Sequence, residues 1–269
     1  MAHVAACSER GVGDGVNQDA TCVMAAKTRI GEVAMAVVCD GVGGLEAGEL
    51  ASATVVKRFE SWFAQELPAK VSYAALDADP RLNTIENDWR AMLARLNADI
   101  RAYGKNTGCL LGTTFSGIFV ACGRYVAGHV GDCRILRVGS EDVEQISEDQ
   151  TLLALKLRTG EITSARDACP GDASTILQAV GSQKTVRPRY YRGTVTPDDL
   201  LAVVCDGAWR KLENDGIARI LRKADPCNEE QLANACRAVA KRAIERGETD
   251  NITVSCIRGD LEGTCGGDA

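Results

Sequence analysis

Histidine is nearly missing from the chain: only His3 and His129 occur in 269 residues. That leaves little room for a Ser-His-Asp triad or a His-rich metal site. No Cys-x-x-Cys pair occurs, which argues against zinc ribbons and thioredoxin-like chemistry. No apolar stretch approaches the ~18 residues of a membrane helix, so no membrane partner is expected. The longest apolar runs, Val33–Cys39 and Leu200–Cys205, have strand length. No block of Lys or Arg is present, and 31 basic against 37 acidic residues leave a net charge of −6. Such a chain is a poor candidate for wrapping nucleic acid. The first ten residues contain no basic region leading into an apolar one, so no secretory signal is expected.

What is present is ordinary globular material, 45% hydrophobic and 25% charged, with ample length to bury a core. No break in composition divides it. We expect a single domain over residues 1–258 and a Gly-rich, acidic tail over 259–269 that frays. Twelve cysteines are many. In a small secreted chain an even number would suggest a disulfide framework. Here Cys39, Cys205 and Cys256 sit inside apolar runs, where a thiol behaves as a small buried hydrophobe. The cysteines are therefore expected to be reduced, and the compartment cytoplasmic.

Residues 2–7, 20–26 and 33–39 have strand character, with a hairpin turn over 28–32. The period then changes. Val55, Val56, Phe59, Trp62, Phe63 and Leu67 share one helical face over 45–67, with Pro68 expected to stop the helix. Residues 68–82 are expected to form a connection and 83–103 a second long helix. A run of short strands follows at 113–121, 125–130, 134–138 and 143–146. A short helix over 151–158 leads into an irregular polar stretch, and strands return at 189–195, 200–205 and 252–257. Asn228 and Gln231 form a capping-box pattern for a helix reaching Arg246, ended by Gly247. Most connections between strands are too short for parallel crossovers. The expected architecture is α+β, an α-β-β-α sandwich of two mainly antiparallel sheets flanked by helix pairs.

The segment Ala-Val-Val-Cys-Asp-Gly occurs twice, at 36–41 and 202–207, each time as an apolar strand running into Asp-Gly. His129-Val130-Gly131-Asp132 also ends a strand in Asp, while Asn17-Gln18-Asp19 and Thr249-Asp250-Asn251 each precede one. One Asp-Gly is simply a good turn pair. Five acids at strand ends are different, because like charges held together are costly unless something offsets them. A divalent cation offsets them, and carboxylates without His or Cys make a hard oxygen site suited to Mg²⁺ or Mn²⁺. Two such ions could activate water without any Ser, His or Cys nucleophile.

Seven motifs in order carry a resemblance. They are Val16-Asn17-Gln18-Asp19, Val38-Cys39-Asp40-Gly41-Val42-Gly43-Gly44, Leu111-Gly112-Thr113-Thr114, Val130-Gly131-Asp132-Cys133-Arg134, Ile146-Ser147-Glu148-Asp149, Cys205-Asp206-Gly207 and Asp250-Asn251-Ile252-Thr253. From Ser8 to Ile257 the chain resembles the metal-dependent serine/threonine protein phosphatases of type 2C, in their bacterial form. The resemblance implies an α-β-β-α fold and hydrolysis of phosphoserine and phosphothreonine by a hydroxide bridging two Mn²⁺ or Mg²⁺ ions. It implies that Asp40 bridges the ions and that the Gly41 carbonyl binds one of them. Asp206 and Asp250 would bind the other, and Asp19 would hold a metal-bound water. Asp132 with Asp206 would hold a third, weaker ion. Phosphorylated proteins, a Ser/Thr kinase and its substrates are the implied partners of a monomeric enzyme.

The chain departs from the family in two places. Five residues before Asp19, where members carry an Arg that clamps phosphate, stands Asp14; Arg10 or Arg210 could take over that role. Val42 stands where animal members carry a His, as is usual in bacterial members. An alternative reading follows from Asp14: a regulatory or binding module that keeps the fold and turns over weakly. Gly43, Gly44, Gly112 and Thr113 are expected to be structural, and Asn251 to order the last metal-binding turn. His129 is not expected to be catalytic, and Trp209 is a candidate for the mouth of the site. The stretch Gly160–Gly171 takes the place of the family's mobile flap.

Overall fold

The computed structural model describes residues 2–12, 15–42, 47–73, 78–225 and 228–258. Strands β2 (Asp19–Thr28) and β3 (Gly31–Asp40) form a hairpin closed where the Thr28 hydroxyl donates to the Gly31 carbonyl at 2.7 Å. Their register pairs Asp19 with Asp40 at the open end. β4 (Phe115–Ala121), β5 (Arg124–Val130) and β8 (Arg189–Thr194) extend this sheet in the order β2-β3-β4-β5-β8. The second sheet has the order β1-β10-β9-β6-β7, built from β1 (Val4–Glu9), β6 (Arg134–Val138), β7 (Val143–Gln145), β9 (Leu200–Val204) and β10 (Ile252–Arg258). All these pairings are antiparallel.

Alternation along β3 explains the layering. Ala34, Ala36 and Val38 join the core between the sheets, whereas Val33, Met35, Val37 and Cys39 pack toward helices. A strand buried on both faces reads as a continuous apolar run, and β3 does. On the outer face of its sheet lie α1 (Gly48–Ser61), α2 (Leu67–Tyr73) and α3 (Ala78–Thr107). Phe59, Trp62, Trp89, Phe115 and Phe119 meet there, mostly edge to face, with Trp62 and Trp89 centroids 6.0 Å apart. The other sheet is covered by α6 (Glu213–Leu221) and α7 (Glu229–Glu245). α4 (Leu152–Thr159) and the one-turn α5 (Asp206–Trp209) complete the described α-helices, and a 3₁₀ turn covers Ala165–Asp167. The expected α-β-β-α sandwich is the observed one.

Three local expectations are corrected. Pro68 does not stop the first long helix. A π turn over Trp62–Glu66 widens the backbone just before it, with the Leu67 N–H donating to the Trp62 carbonyl. The wider turn accommodates the proline, whose ring clashes with the carbonyl four residues back in a regular helix. Much of the expected connection over 68–82 is accordingly helical, and α3 exceeds 83–103 at both ends. The strand expected from Thr113 starts at Phe115, and Thr113 makes isolated bridges to Gly41 and Val180 instead. Asn228 caps α7 as expected, accepting from the Gln231 N–H at 3.1 Å. Gln231 does not reciprocate toward Asn228; its side chain accepts the Asp225 N–H at 3.0 Å.

The ten described cysteines are free thiols, seven of them buried. Among the described residues no helix is long and apolar enough to cross a membrane. Gly43 and Gly44, Asp14 and the expected tail lie outside the described residues.

Candidate active site

The apolar β3 delivers Asp40 to the mouth of the seam between the sheets, and hydrogen bonds from β4's approach fix it there. Thr114 accepts the Asp40 N–H at its hydroxyl, 2.8 Å away, and donates its own N–H to the Asp40 carbonyl at 2.8 Å. The Thr113 hydroxyl donates to that same carbonyl at 2.9 Å. Gly41 then runs between Gln18 and the start of α1. A Cβ on Gly41 would lie 2.6 Å from the Gly48 backbone and 2.7 Å from the Gln18 carbonyl. Only glycine fits, which keeps this backbone against the cleft.

Asp19 is anchored across the seam. Its Oδ2 accepts the Thr253 hydroxyl of β10 at 2.7 Å, and Thr253 is paired with Ser8 of β1 at 2.8 Å. The Gln18 N–H donates to the Asn251 side chain at 2.8 Å, so Asn251 ties the Asp250 turn to the Asp19 turn. Asp206 opens α5 directly after β9. A Cβ on Gly207 would fall on the Asn251 carbonyl, and its absence lets the Asp206 and Asp250 turns close together. Asp132 follows β5, and its carbonyl accepts the Trp209 indole N–H at 3.0 Å. The Arg134 guanidinium stacks 3.5 Å over Trp209 and forms a forked pair with Asp149, so that layer is rigid.

These turns line a cleft of about 240 Å³. Asp40, Gly41, Asp132, Asp206, Asp250 and Arg210 are on its walls, with Gln18, Val42, Thr114, Ser174 and Ile176. Asp19 sits behind Asp40 as its cross-strand partner. Arg210 contacts Asp206, lies 3.4 Å from Asp250 and 4.0 Å from the buried Glu248. Arg10 is elsewhere, exposed and donating to the Gly15 carbonyl. Trp209 lies behind the wall, and Gly160–Gly171 does not line the cleft. His129 is buried in the core with its Nδ1 on the Ser116 hydroxyl at 2.8 Å.

Burial raises the proton affinity of the acids, and mutual repulsion adds to it. Asp19 and Asp132 are each pushed up to about 7, and Asp40 is pushed well above the carboxylate range by burial and then by Asp19 and Asp206. Burial also raises Asp206, with Arg210 pulling the other way. Asp19 Oδ1, Asp206 Oδ1 and Glu248 Oε2 are buried without a hydrogen-bond partner. An all-oxygen set with orphaned buried lone pairs fits a hard divalent cation. Among the described residues no three such side chains form a closed cage.

Residues 10–241 match the family described as Protein phosphatase 2C. The chain belongs to the protein phosphatase 2C family. It is thus a serine/threonine protein phosphatase by class, and the family is metal-dependent. Among its relatives is the serine/threonine phosphatase stp of Listeria monocytogenes, 27% identical over 228 residues, covering 84% of each chain. The Stp1 serine/threonine phosphatase of Staphylococcus aureus has the same fold, with a TM-score of 0.78 at 24% identity over 98% of this chain and 96% of that one. The catalytic domain of PstP, in a structure holding two manganese ions, aligns with a TM-score of 0.72 at 23% identity over 96% and 97%.

Glu248, Ser174 and Ile176 are site residues that sequence reasoning missed. Ser174 and Ile176 carry no motif. Glu248 stands two residues before Asp250, and a carboxylate there was a usable signal: its Oε1 accepts the Thr249 and Asp250 N–H groups at 2.9 and 3.1 Å, shaping the turn.

The raised acids have a consequence for stability. Each binds its proton more tightly folded than unfolded, so chelated protein loses stability as pH rises from the ordinary carboxylate range through 7. His129 acts oppositely. Burial holds it down at about 4 against an ordinary 6.5, so its contribution is complete above 6.5 and lost as pH falls toward 4. Just above 6.5 the acids dominate, and buried thiols such as Cys22, Cys39, Cys133 and Cys205, whose proton affinity burial also raises, add a loss in the same direction only as pH nears their ordinary range around 9. Chelated phosphatase should therefore melt at a lower temperature near about pH 8 than near about pH 6.5, with Mn²⁺ removing the difference. Differential scanning fluorimetry checks this; a flat profile without metal would show that the acids are not electrostatically strained.

Proposed function

We propose that this phosphatase hydrolyses phosphoserine and phosphothreonine on proteins in the Asp-lined cleft. Asp40, the Gly41 carbonyl, Asp206 and Asp250 would hold two Mn²⁺ or Mg²⁺ ions, with Asp19 bonding to coordinated water. Asp132 and Asp206 would serve a third, weaker ion. When bound, such ions polarise phosphate oxygens and bring the pKa of water near neutrality. The chain's own contribution is placement. Both sheets aim carboxylates into one cleft, the Thr113 and Thr114 hydroxyls hold the Asp40 turn, and Arg210 stands at the wall to take the phosphate. Partially filled by its neighbours, the Arg210 fork can exchange a carboxylate for a phosphate oxygen of similar geometry.

The observation that carries this reading is the convergence of acids from both sheets with buried, unpartnered carboxylate oxygens. The free thiols support a reducing, cytoplasmic setting. There a Ser/Thr kinase and its substrates would be the partners of a monomeric phosphatase. A phosphate-release assay on a phosphothreonine peptide, beside a generic aryl phosphate, tests the proposal. Activity should require Mn²⁺ or Mg²⁺, vanish with chelator and return with metal. Undiminished activity after thorough metal removal would refute it.

A further inference from the structure

A larger groove, about 690 Å³, runs between α6 and α7 outside the active cleft. Its charge is opposite to that of the molecule. Five cations line it, Arg219, Lys223, Lys241, Arg242 and Arg246, against the single carboxylate of Glu245. The chain as a whole carries −6. Arg242 is paired with Glu245 at 2.9 Å, and Arg246 donates to the Lys211 carbonyl at 3.2 Å. All five cationic side chains are exposed.

The floor is apolar and low. Leu212, Ile220, Ala224, Ala235 and Ala238 form it. Gly216 keeps it open: a Cβ there would make only ordinary contact with Leu212, at 3.4 Å, so the space rather than the fold depends on this glycine. α6 and α7 pack against one another as neighbours. An apolar trough between two helices with a cationic rim matches an amphipathic segment with acidic flanks. A nucleic acid duplex offers no apolar side chains to that floor, and the remaining acidic surface repels it.

The groove also points somewhere. Its Leu212 end follows Arg210 by two residues, and its Arg246 end precedes Glu248 by two. The Arg246–Lys211 hydrogen bond ties these two exits together beside the cleft. A segment lying in the groove thus leads toward Arg210, Asp206 and Asp250.

We propose that the α6–α7 groove docks an acidic, Leu-bearing segment of the phosphoprotein substrate, raising its effective concentration at the cleft; the identity of the occupant as substrate rests on the phosphatase reading above. The gain is that of any tethered pair, in which the second contact becomes intramolecular.

The test uses the full chain and a fluorescent, unphosphorylated helical peptide with Leu at i and i+4 and Glu elsewhere. Wild type should bind it saturably, more weakly as salt rises. The double variant Arg219→Glu, Lys241→Glu should weaken binding by about tenfold or more. Gly216→Leu, which improves helix propensity while filling the trough, should weaken it as well. Turnover of the aryl phosphate should be unchanged in both variants, which shows that they fold. KM for a phosphopeptide carrying the same acidic segment should rise in both. No saturable binding, or equal binding by the charge-reversed variant, would overturn the proposal. So would an oligonucleotide duplex or anionic vesicle that displaces the peptide with higher affinity, or a dimer that the charge reversal dissolves. Peptide binding in the groove without any metal-dependent turnover would instead overturn the phosphatase reading, and with it the substrate as occupant.

Discussion

Asp40→Asn is expected to lower phosphopeptide turnover by at least the ~10²–10³-fold that one lost stabilising group costs in a preorganised site, and at the same time to raise the melting temperature of the chelated protein. Both follow from one fact. Asp40 is closely surrounded by Asp19, Asp206 and Asp132, each raising its proton affinity beyond the effect of burial. Its charge is a burden to the metal-free fold and an asset once cations are bound. The amide keeps the shape, its backbone bonds to Thr114 and its place opposite Asp19. Asp206→Asn should lose turnover similarly but gain less stability, because Arg210 already offsets part of the Asp206 charge. Phosphate release and fluorimetry on the same preparations decide the matter. Wild-type rates in either variant would mean the site is misassigned, and a destabilised Asp40→Asn would make that carboxylate structural.

Arg210→Ala should raise KM for phosphopeptide about 10–100-fold with little change in kcat, the value of one charge-assisted hydrogen bond of ~1.5–3 kcal/mol. Arg210 is the one cation among the described residues lining the cleft. Arg210→Lys should recover only part of the loss, since an ammonium cannot fork onto two oxygens. Arg10→Ala should change nothing, because Arg10 is exposed on the Gly15 carbonyl. A fall in kcat and in metal affinity at constant KM would mean that Arg210 orders Asp206 and does not receive phosphate.

Much of the site is legible in the chain because strands project it. A continuous apolar run that ends in Asp-Gly places a carboxylate at a sheet margin wherever the sheet lies, and Asp40 and Asp206 announce themselves in this way; Asp132 also ends a strand, while Asp19 and Asp250 precede one. The cation is harder. Arg210 is readable as a candidate only from its position after Asp206, and nothing local says that it reaches Asp250 and Glu248 while Arg10 does not. The π turn is illegible for a different reason. Pro68 is a sound stop signal, overruled where the π turn makes room for its ring and the helix beyond it buries Val71. The basic groove has no linear signature, since its charges come from two helices and meet only in the tertiary structure.

The seam between the sheets has a consequence for how activity arises in a growing polypeptide. Asp19 and Asp40 belong to one sheet, Asp206 and Asp250 flank strands of the other, and β1 closes only against β10. No nascent fragment shorter than the reach to Asp250 can hold the complete acid set, and neither sheet released alone carries it. If the proposed acid set is the catalytic one, catalysis is withheld until β1 and β10 have met. On the proposed site assignment, a half-made or half-unfolded chain would be silent as a phosphatase while it waits to be completed or degraded.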